Sequence, residues 1–295
     1  MKKISGVNTP VKGGMAVLKP FDIRAHSPDG YIFTRWLATL PLWTPLLIIA
    51  VIGVYPSIVY AQSGFSIDDA FGALWRWMPF LLVSGFLFNV LISFWTLVIG
   101  TCAGAALGLG QISTCGPLRA FSWFITQLFR NSPWLVILFI VLLALPFEFT
   151  IFGQTIRVPD WMKGVFGLSL PVMANISEVV RGAVQSVPTA QWEAAESLAF
   201  SRRQILWQII LPQCFKRMLP PWMNWYAILT MATPLCSLLG IEEIITLSRQ
   251  AMEAEDNHPE LLVPFYGFAL LLFFVYCYPI ARLTMRLERK YAVKL

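Results

Sequence analysis

Arg130, Glu178 and Arg181 are ionisable residues set in stretches that are otherwise apolar. A charge at the centre of a bilayer costs about 3 kcal/mol on insertion scales, so such residues face a cavity, an opposite charge or the headgroup level. Two readings fit these three. Either the arginines snorkel to the inner interface, or Glu178 pairs with Arg181 or Arg130 near a cytoplasmic gate and changes partner as the gate moves. Asn175, Thr230 and Thr233 supply neutral polar groups to the neighbouring stretches. Hydrogen bonding between helices and contact with a passing solute both suit them.

Covalent chemistry finds little support. The histidines are His26 and His258 alone, so no His-based metal spacing exists, and no Ser/His/Asp set lies in the apolar stretches. The cysteines (Cys102, Cys115, Cys214, Cys236, Cys277) show no CxxC spacing and read as small buried hydrophobes. A phosphate loop of the form G-x-x-x-x-G-K-[ST] is absent, so the chain is expected to hold no cofactor of its own and not to be an ATPase.

The elements that must position these residues are membrane spans. Of the 295 residues, 57% are hydrophobic and 13% charged, and the mean hydropathy is +0.66, outside the range of a soluble domain. The net charge of +6 comes from basic residues at the chain ends and in one central loop. That distribution fits the positive-inside bias of a multi-pass membrane protein and a lipid bilayer as partner, rather than nucleic acid. Spans need about 20 mostly apolar residues, and six are expected: within 35–68, between Arg76 and Arg119, from Phe121 to Pro146, around residues 164–180, from Met218 to Ile241 with a kink at Pro234, and from Leu261 to Ile280. Gly100, Gly104, Gly108 and Gly110 would let helices approach closely. Lys and Arg then lie inside at both termini, and the acidic segments, including EAEDNHPE as a solvated loop, lie outside. SIDDAFGALWRW, with a Ser66 cap, is expected to lie flat at the outer interface. The fold class is an all-α membrane protein. Its expected divisions are a cytoplasmic tail 1–34, a first span and interfacial segment 35–78, the remaining spans within 79–288 and a cytoplasmic tail 289–295.

One cytoplasmic loop carries a further signal. Thr189 is placed to cap a helix over Ala190–Leu198. Ser201 to Gln204 has the S-x-x-Q form of a capping box and leads into ILWQIIL, which Pro212 is expected to end. Two short helices would meet in an elbow at Ala199–Ser201. The adjacent Ala194 and Ala195 would leave the first helix narrow on the side where a partner's groove approaches.

The loop VPTAQWEAAESLAFSRRQILWQIILPQCFKRMLPP resembles the EAA loop of permease subunits from ATP-binding-cassette importers of polar amino acids, related to histidine and glutamine permeases. The family pattern V-P-x-G-Q-x-E-A-A-x-x-L-G-x-S-x-x-Q, then L-P-Q, is met at Val187, Pro188, Gln191, Glu193, Ala194, Ala195, Leu198, Ser201, Gln204, Leu211, Pro212 and Gln213. LFRNSPWLV, ISEVVRG and SLLGIEEI are similar to the family's FRGTPLLV, AEIFRG and SVIGVxEL.

The resemblance implies a five-helix core with one added N-terminal helix and cytoplasmic termini, in a bacterial inner membrane. It also implies that residues 187–213 couple the chain to ATPase subunits that bind ATP and Mg. Gln191, Trp192, Glu193, Ala194, Ala195, Leu198, Ala199 and Ser201 would form the contact. A periplasmic solute-binding protein and a second permease, identical or similar, would complete the machine.

Three departures stand out. Ala199 replaces the family's elbow glycine, so the elbow is either strained, by about 1 to 2 kcal/mol if φ is positive, or less bent. LTMATPL stands where L-K-D-T-S-L is common, which removes two charges from any pathway there. Asn175 replaces a tyrosine. An uncommon solute, such as an amino-acid conjugate or a compatible solute, and a partner permease that holds the solute are both consistent with these changes. A channel or carrier that works without ATP is the alternative from a different class.

Overall fold

In the computed structural model, residues 65–151 and 154–291 are described. The first expected span and the expected terminal tails lie almost entirely outside these residues. Ser66 opens helix α1 (Ile67–Phe80) with a reciprocal box, its hydroxyl accepting from the Asp69 N–H at 3.1 Å and its own N–H donating to the Asp69 carboxylate at 3.0 Å. The expected cap is therefore present, but the segment does not stand apart from the next span. Pro79 would block a regular turn. The chain absorbs it by widening into a π turn, Leu81–Phe86, and continues as α2, Leu87–Gln111. Ile67–Gln111 is one helical run of 45 residues.

Helix α3 (Gly116–Arg130) and helix α4 (Trp134–Ala144) replace the single span expected over Phe121–Pro146 and meet at 105°. The cause is local: Pro133 caps α4, and a residue preceding proline is driven out of helical geometry. A short hairpin follows and departs from the all-helical expectation. Strands β1 (Glu148–Ile151) and β2 (Gln154–Arg157) pair antiparallel with Glu148 opposite Arg157, and those two side chains form an ion pair at 3.2 Å.

Helix α5 (Asp160–Gln185) is the centre of the bundle, and 15 of its 26 residues are buried. Its principal neighbour is α2, whose glycines recur every fourth residue. A Cβ on Gly100 would stand 2.6 Å from Val172, one on Gly104 2.7 Å from the Met173 carbonyl, and one on Gly108 2.7 Å from Val180. The expected close approach is realised at all three, while Gly110 faces Ser122 of α3.

After α5 come α6 (Thr189–Ser197) and the single turn α7 (Arg202–Gln204), which runs through a π turn at Ile205–Ile210 into α8, Leu211–Ala232. Pro212 was expected to end this helix and does not. In the widened turn Leu211 N–H donates five residues back to Leu206, and Pro212 falls in the first turn of α8, where its missing N–H is not needed. Pro234 opens a tight 3₁₀ segment, Thr233–Leu239, closed by Gly240 at φ 75°. Helix α9 (Ile244–Ala254) then departs at 50°, and α10 (Leu262–Tyr291) completes the described chain.

Ile67–Gln111 and Pro259–Tyr291 are each long and apolar enough to cross a membrane, and each of the two bent pairs would be so if counted as one span. The molecule is a helical, multi-pass membrane protein. Of the cysteines, Cys214, Cys236 and Cys277 are buried as expected, but Cys102 and Cys115 are exposed, one on an outer face of α2 and one in the turn before α3.

Candidate functional site

The elbow is built by two sets of local hydrogen bonds. At its first end the cap of α6 is Pro188, in extended geometry, rather than Thr189; proline just before or at a helix start fits because no N–H is required there. At the far end Phe200 N–H donates to Ala195 C=O at 3.2 Å and Ala199 N–H to Glu196 C=O at 2.9 Å. This is a Schellman closure, which places its penultimate residue in the left-handed region and normally selects glycine. Ala199 occupies that position at φ 59°. The bend is thus retained and the alanine carries the strain. Ser201 then starts the next helix with the expected box, its N–H donating to Gln204 Oε1 at 2.9 Å and its hydroxyl accepting from Gln204 N–H at 3.4 Å.

The two alanines do not share a face. Ala195 is buried against Ala183, Val184, Val187, Ile205, Ile210 and Cys214, with Trp192 packed at the edge of this cluster. A rotation of about 100° per residue turns the neighbouring position outward, so Ala194 is exposed, as are Glu193 and Leu198, the latter 72% accessible. Gln191 is half-buried. Of the expected contact residues, Glu193, Ala194, Leu198, Ala199 and Ser201 are exposed, and Ala195 fastens the helix to its own chain.

The charged residues form one cluster. Glu178 accepts from Arg181 at 2.6 Å, within one turn of α5, and lies 3.4 Å from Arg130 at the end of α3. Both expected pairs exist together. The second depends on the break at Pro133, which stops α3 at Arg130. Beside them Gln111 donates to Thr126 at 3.0 Å and to Ser177 at 3.2 Å, and the two hydroxyls lie 2.8 Å apart, joining α2, α3 and α5.

Asn175, Thr230 and Thr233 are buried; one N–H of the Asn175 amide donates to the Pro171 carbonyl at 2.8 Å, and the hydroxyls of Thr230 and Thr233 donate to the Tyr226 carbonyl at 2.9 Å and the Thr230 carbonyl at 2.8 Å of the same helical run. Thr233 also accepts from Asn89 at 2.9 Å. Asn89 and Glu243 escaped sequence reasoning, although both are 0% exposed and central to a polar network. Asn89 is a lone amide in an apolar run, which is a signal. Lys163 was missed as well; its ammonium is buried 3.4 Å from Asp160 and 3.2 Å above the ring of Phe147.

A glycine-packed helical bundle with broken spans, an internal ion-pair cluster and a projecting helical elbow is the architecture of a multi-pass helical membrane protein. Residues 100–291 match the family of binding-protein-dependent transport system inner membrane components, and the chain belongs to that family. A probable amino-acid ABC transporter permease of Sinorhizobium fredii is 30% identical over 190 residues, 63% of this chain and 80% of the relative. The L-cystine transport system permease of Bacillus subtilis is 26% identical over 211 residues, 71% of this chain and 86% of the relative. A crystal structure of an amino acid ABC transporter with histidines superposes with a TM-score of 0.62 at 22% identity, over 74% of this chain and 96% of that one, which establishes the likeness of fold.

Proposed function

We propose that this chain is the permease subunit of an ATP-driven importer of polar amino acids in a bacterial inner membrane. In this reading the chain has six spans, counting the one within 35–68, with both termini cytoplasmic. A periplasmic binding protein delivers the solute, and separate ATPase subunits bind ATP and Mg. The observation that carries the reading is the elbow. Ala195 and Trp192 root a short helix in the bundle while Glu193, Ala194 and Leu198 face outward, an arrangement suited to filling a groove on another protein. The names of the relatives support amino acids as the solute class.

Movement imposed on α6 has a direct route inward. The elbow leads at Arg202 into a helical run that continues to Leu239, and Ala195 packs on Ile205 and Ile210 at the start of that run. The Glu178 cluster sits on α5, immediately before the loop, and serves as the gate in this scheme.

A second permease is expected in the complex, and a specific observation favours a non-identical one. The hydroxyls of Thr230 and Thr233 and one N–H of the Asn175 amide donate to backbone carbonyls within one helical turn of themselves, and Met231 and Ala232 offer no charge. The solute contacts would then come chiefly from the partner permease.

The test is ATP hydrolysis by the complex reconstituted with its ATPase and binding protein, comparing wild type with Glu193→Lys. Stimulation of wild type by polar amino acids, lost in the variant, is the expected result. Equal stimulation in both would remove the elbow from the coupling scheme.

A further inference from the structure

The helical run that begins at the elbow ends at a second, fully buried fixture. Gly85, in the π turn before α2, lies against the start of α9, where a Cβ would come within 3.0 Å of the Ile244 Cα. Four residues on, and so on the same helix face, Asn89 takes hold of that region. Its amide nitrogen donates to Thr233 Oγ1 at 2.9 Å and to Glu243 Oε2 at 2.9 Å, and its oxygen accepts from Ile244 N–H at 3.0 Å. Glu243 Oε1 in turn caps α9, accepting from the N–H groups of Ile245 and Thr246, each at 3.0 Å. The amide uses both of its hydrogens, every partner of the carboxylate is a donor, and no cation is paired with Glu243 among the described residues.

This arrangement does more than fill space. An apolar pair would bury as well and avoid desolvating a carboxylate. Asn89 instead binds three separate points of one break: the start of the 3₁₀ segment at Thr233, the cap at Glu243 and the first residue of α9. All three are referred to α2, the helix held closest to α5 by its glycines.

We propose that Asn89 and Glu243 are positioning residues for transport, seated by Gly85, that anchor the far end of the helix whose cytoplasmic end is the coupling elbow. With that end fixed to α2, displacement of the elbow tilts the helix as a lever roughly 55 Å long. Without the anchor, the break between Leu239 and Ile244 takes up the displacement and nucleotide turnover is spent without solute movement. The inference rests on the coupling role proposed above.

The test is the number of ATP molecules hydrolysed per solute moved by the reconstituted complex. Asn89→Leu and Asn89→Asp are expected to raise that ratio at least about 5-fold, the scale of a modest coupling energy, with basal hydrolysis per assembled complex unchanged. Adding Glu243→Gln to Asn89→Asp reverses the direction of the lost hydrogen bond, and is expected to bring the ratio back toward wild type. An unchanged ratio in assembled complexes, or no rescue by the pair, overturns the proposal; a simple structural defect would lower the amount of complex without moving the ratio. Should the Asn89 variants not assemble, amide exchange at Ile244, Ile245 and Thr246 in the wild-type complex decides. An anchor stays protected both without nucleotide and with ATP bound, and loss of protection in either state counts against it. That measurement needs no solute. If polar amino acids fail to stimulate wild type, the substrate reading falls while the anchor is still judged.

Discussion

The Phe200 N–H reaches back across the elbow to the Ala195 carbonyl at 3.2 Å, and Ala199 between them is held at φ 59°. The same Ala195 is buried among side chains from α5 and from the start of the following helix. One residue therefore sets both the bend of the elbow and its attachment to the bundle.

Ala199→Gly is expected to relieve the strain of the left-handed backbone and stabilise the loop by about 1 kcal/mol, less whatever the more flexible glycine costs through the unfolded chain. Ala199→Val should act in the opposite direction. Thermal unfolding of the purified protein in detergent, followed by tryptophan fluorescence, would rank the variants glycine, alanine, valine. Any other order would mean that the closure is not under strain.

Leucine substitutions at the paired alanines should separate anchoring from docking. Ala195→Leu overfills a closed cluster and is expected to destabilise the isolated permease by about 1 to 3 kcal/mol. Ala194→Leu, on the exposed side, should leave that stability unchanged and reduce copurification of the ATPase. Thermal shift and pull-down on the same preparations give both readings.

Glu178→Gln removes the charge shared by Arg181 at 2.6 Å and Arg130 at 3.4 Å. It is expected to lower transport and to change stimulated ATP turnover, since the tie between α3 and α5 loses its electrostatic part. A variant that transports and turns over ATP as wild type does would exclude the gate.

Acidity should act through Glu255. The hydrogen bond from Arg76 at 2.7 Å, and then that from Trp77 at 2.9 Å, hold this carboxyl below its ordinary range. A depressed value contributes stability that is present above the ordinary carboxylate range and lost as pH falls through the lowered one. Arg76 is largely exposed, so the effect is small, under about 1 kcal/mol. Melting temperatures of wild type and Glu255→Gln are expected to differ near neutral pH and to converge on acidification.

Much of this molecule is legible in the amino-acid order because it is made by contacts within one turn of chain. Ser66 with Asp69 and Ser201 with Gln204 are capping boxes three residues long, and Gly100, Gly104 and Gly108 mark a close helix face by their spacing alone. Glu178 and Arg181 pair within one helical turn.

Other features are set by packing. Pro133 fixes locally where the apolar run Phe121–Pro146 breaks, but the 105° between α3 and α4 is seen only once both pack on α5. Ala194 and Ala195 are chemically identical, and what lies beside α6 decides which is buried. Pro212 is tolerated because a π turn precedes it. Asn89 and Glu243 stand 154 residues apart and gain their roles only when α2 meets the start of α9. Hydrogen bonds within a turn follow from the local chain, whereas the burial of a polar group has a defined energy only once the groups that replace its water are in place.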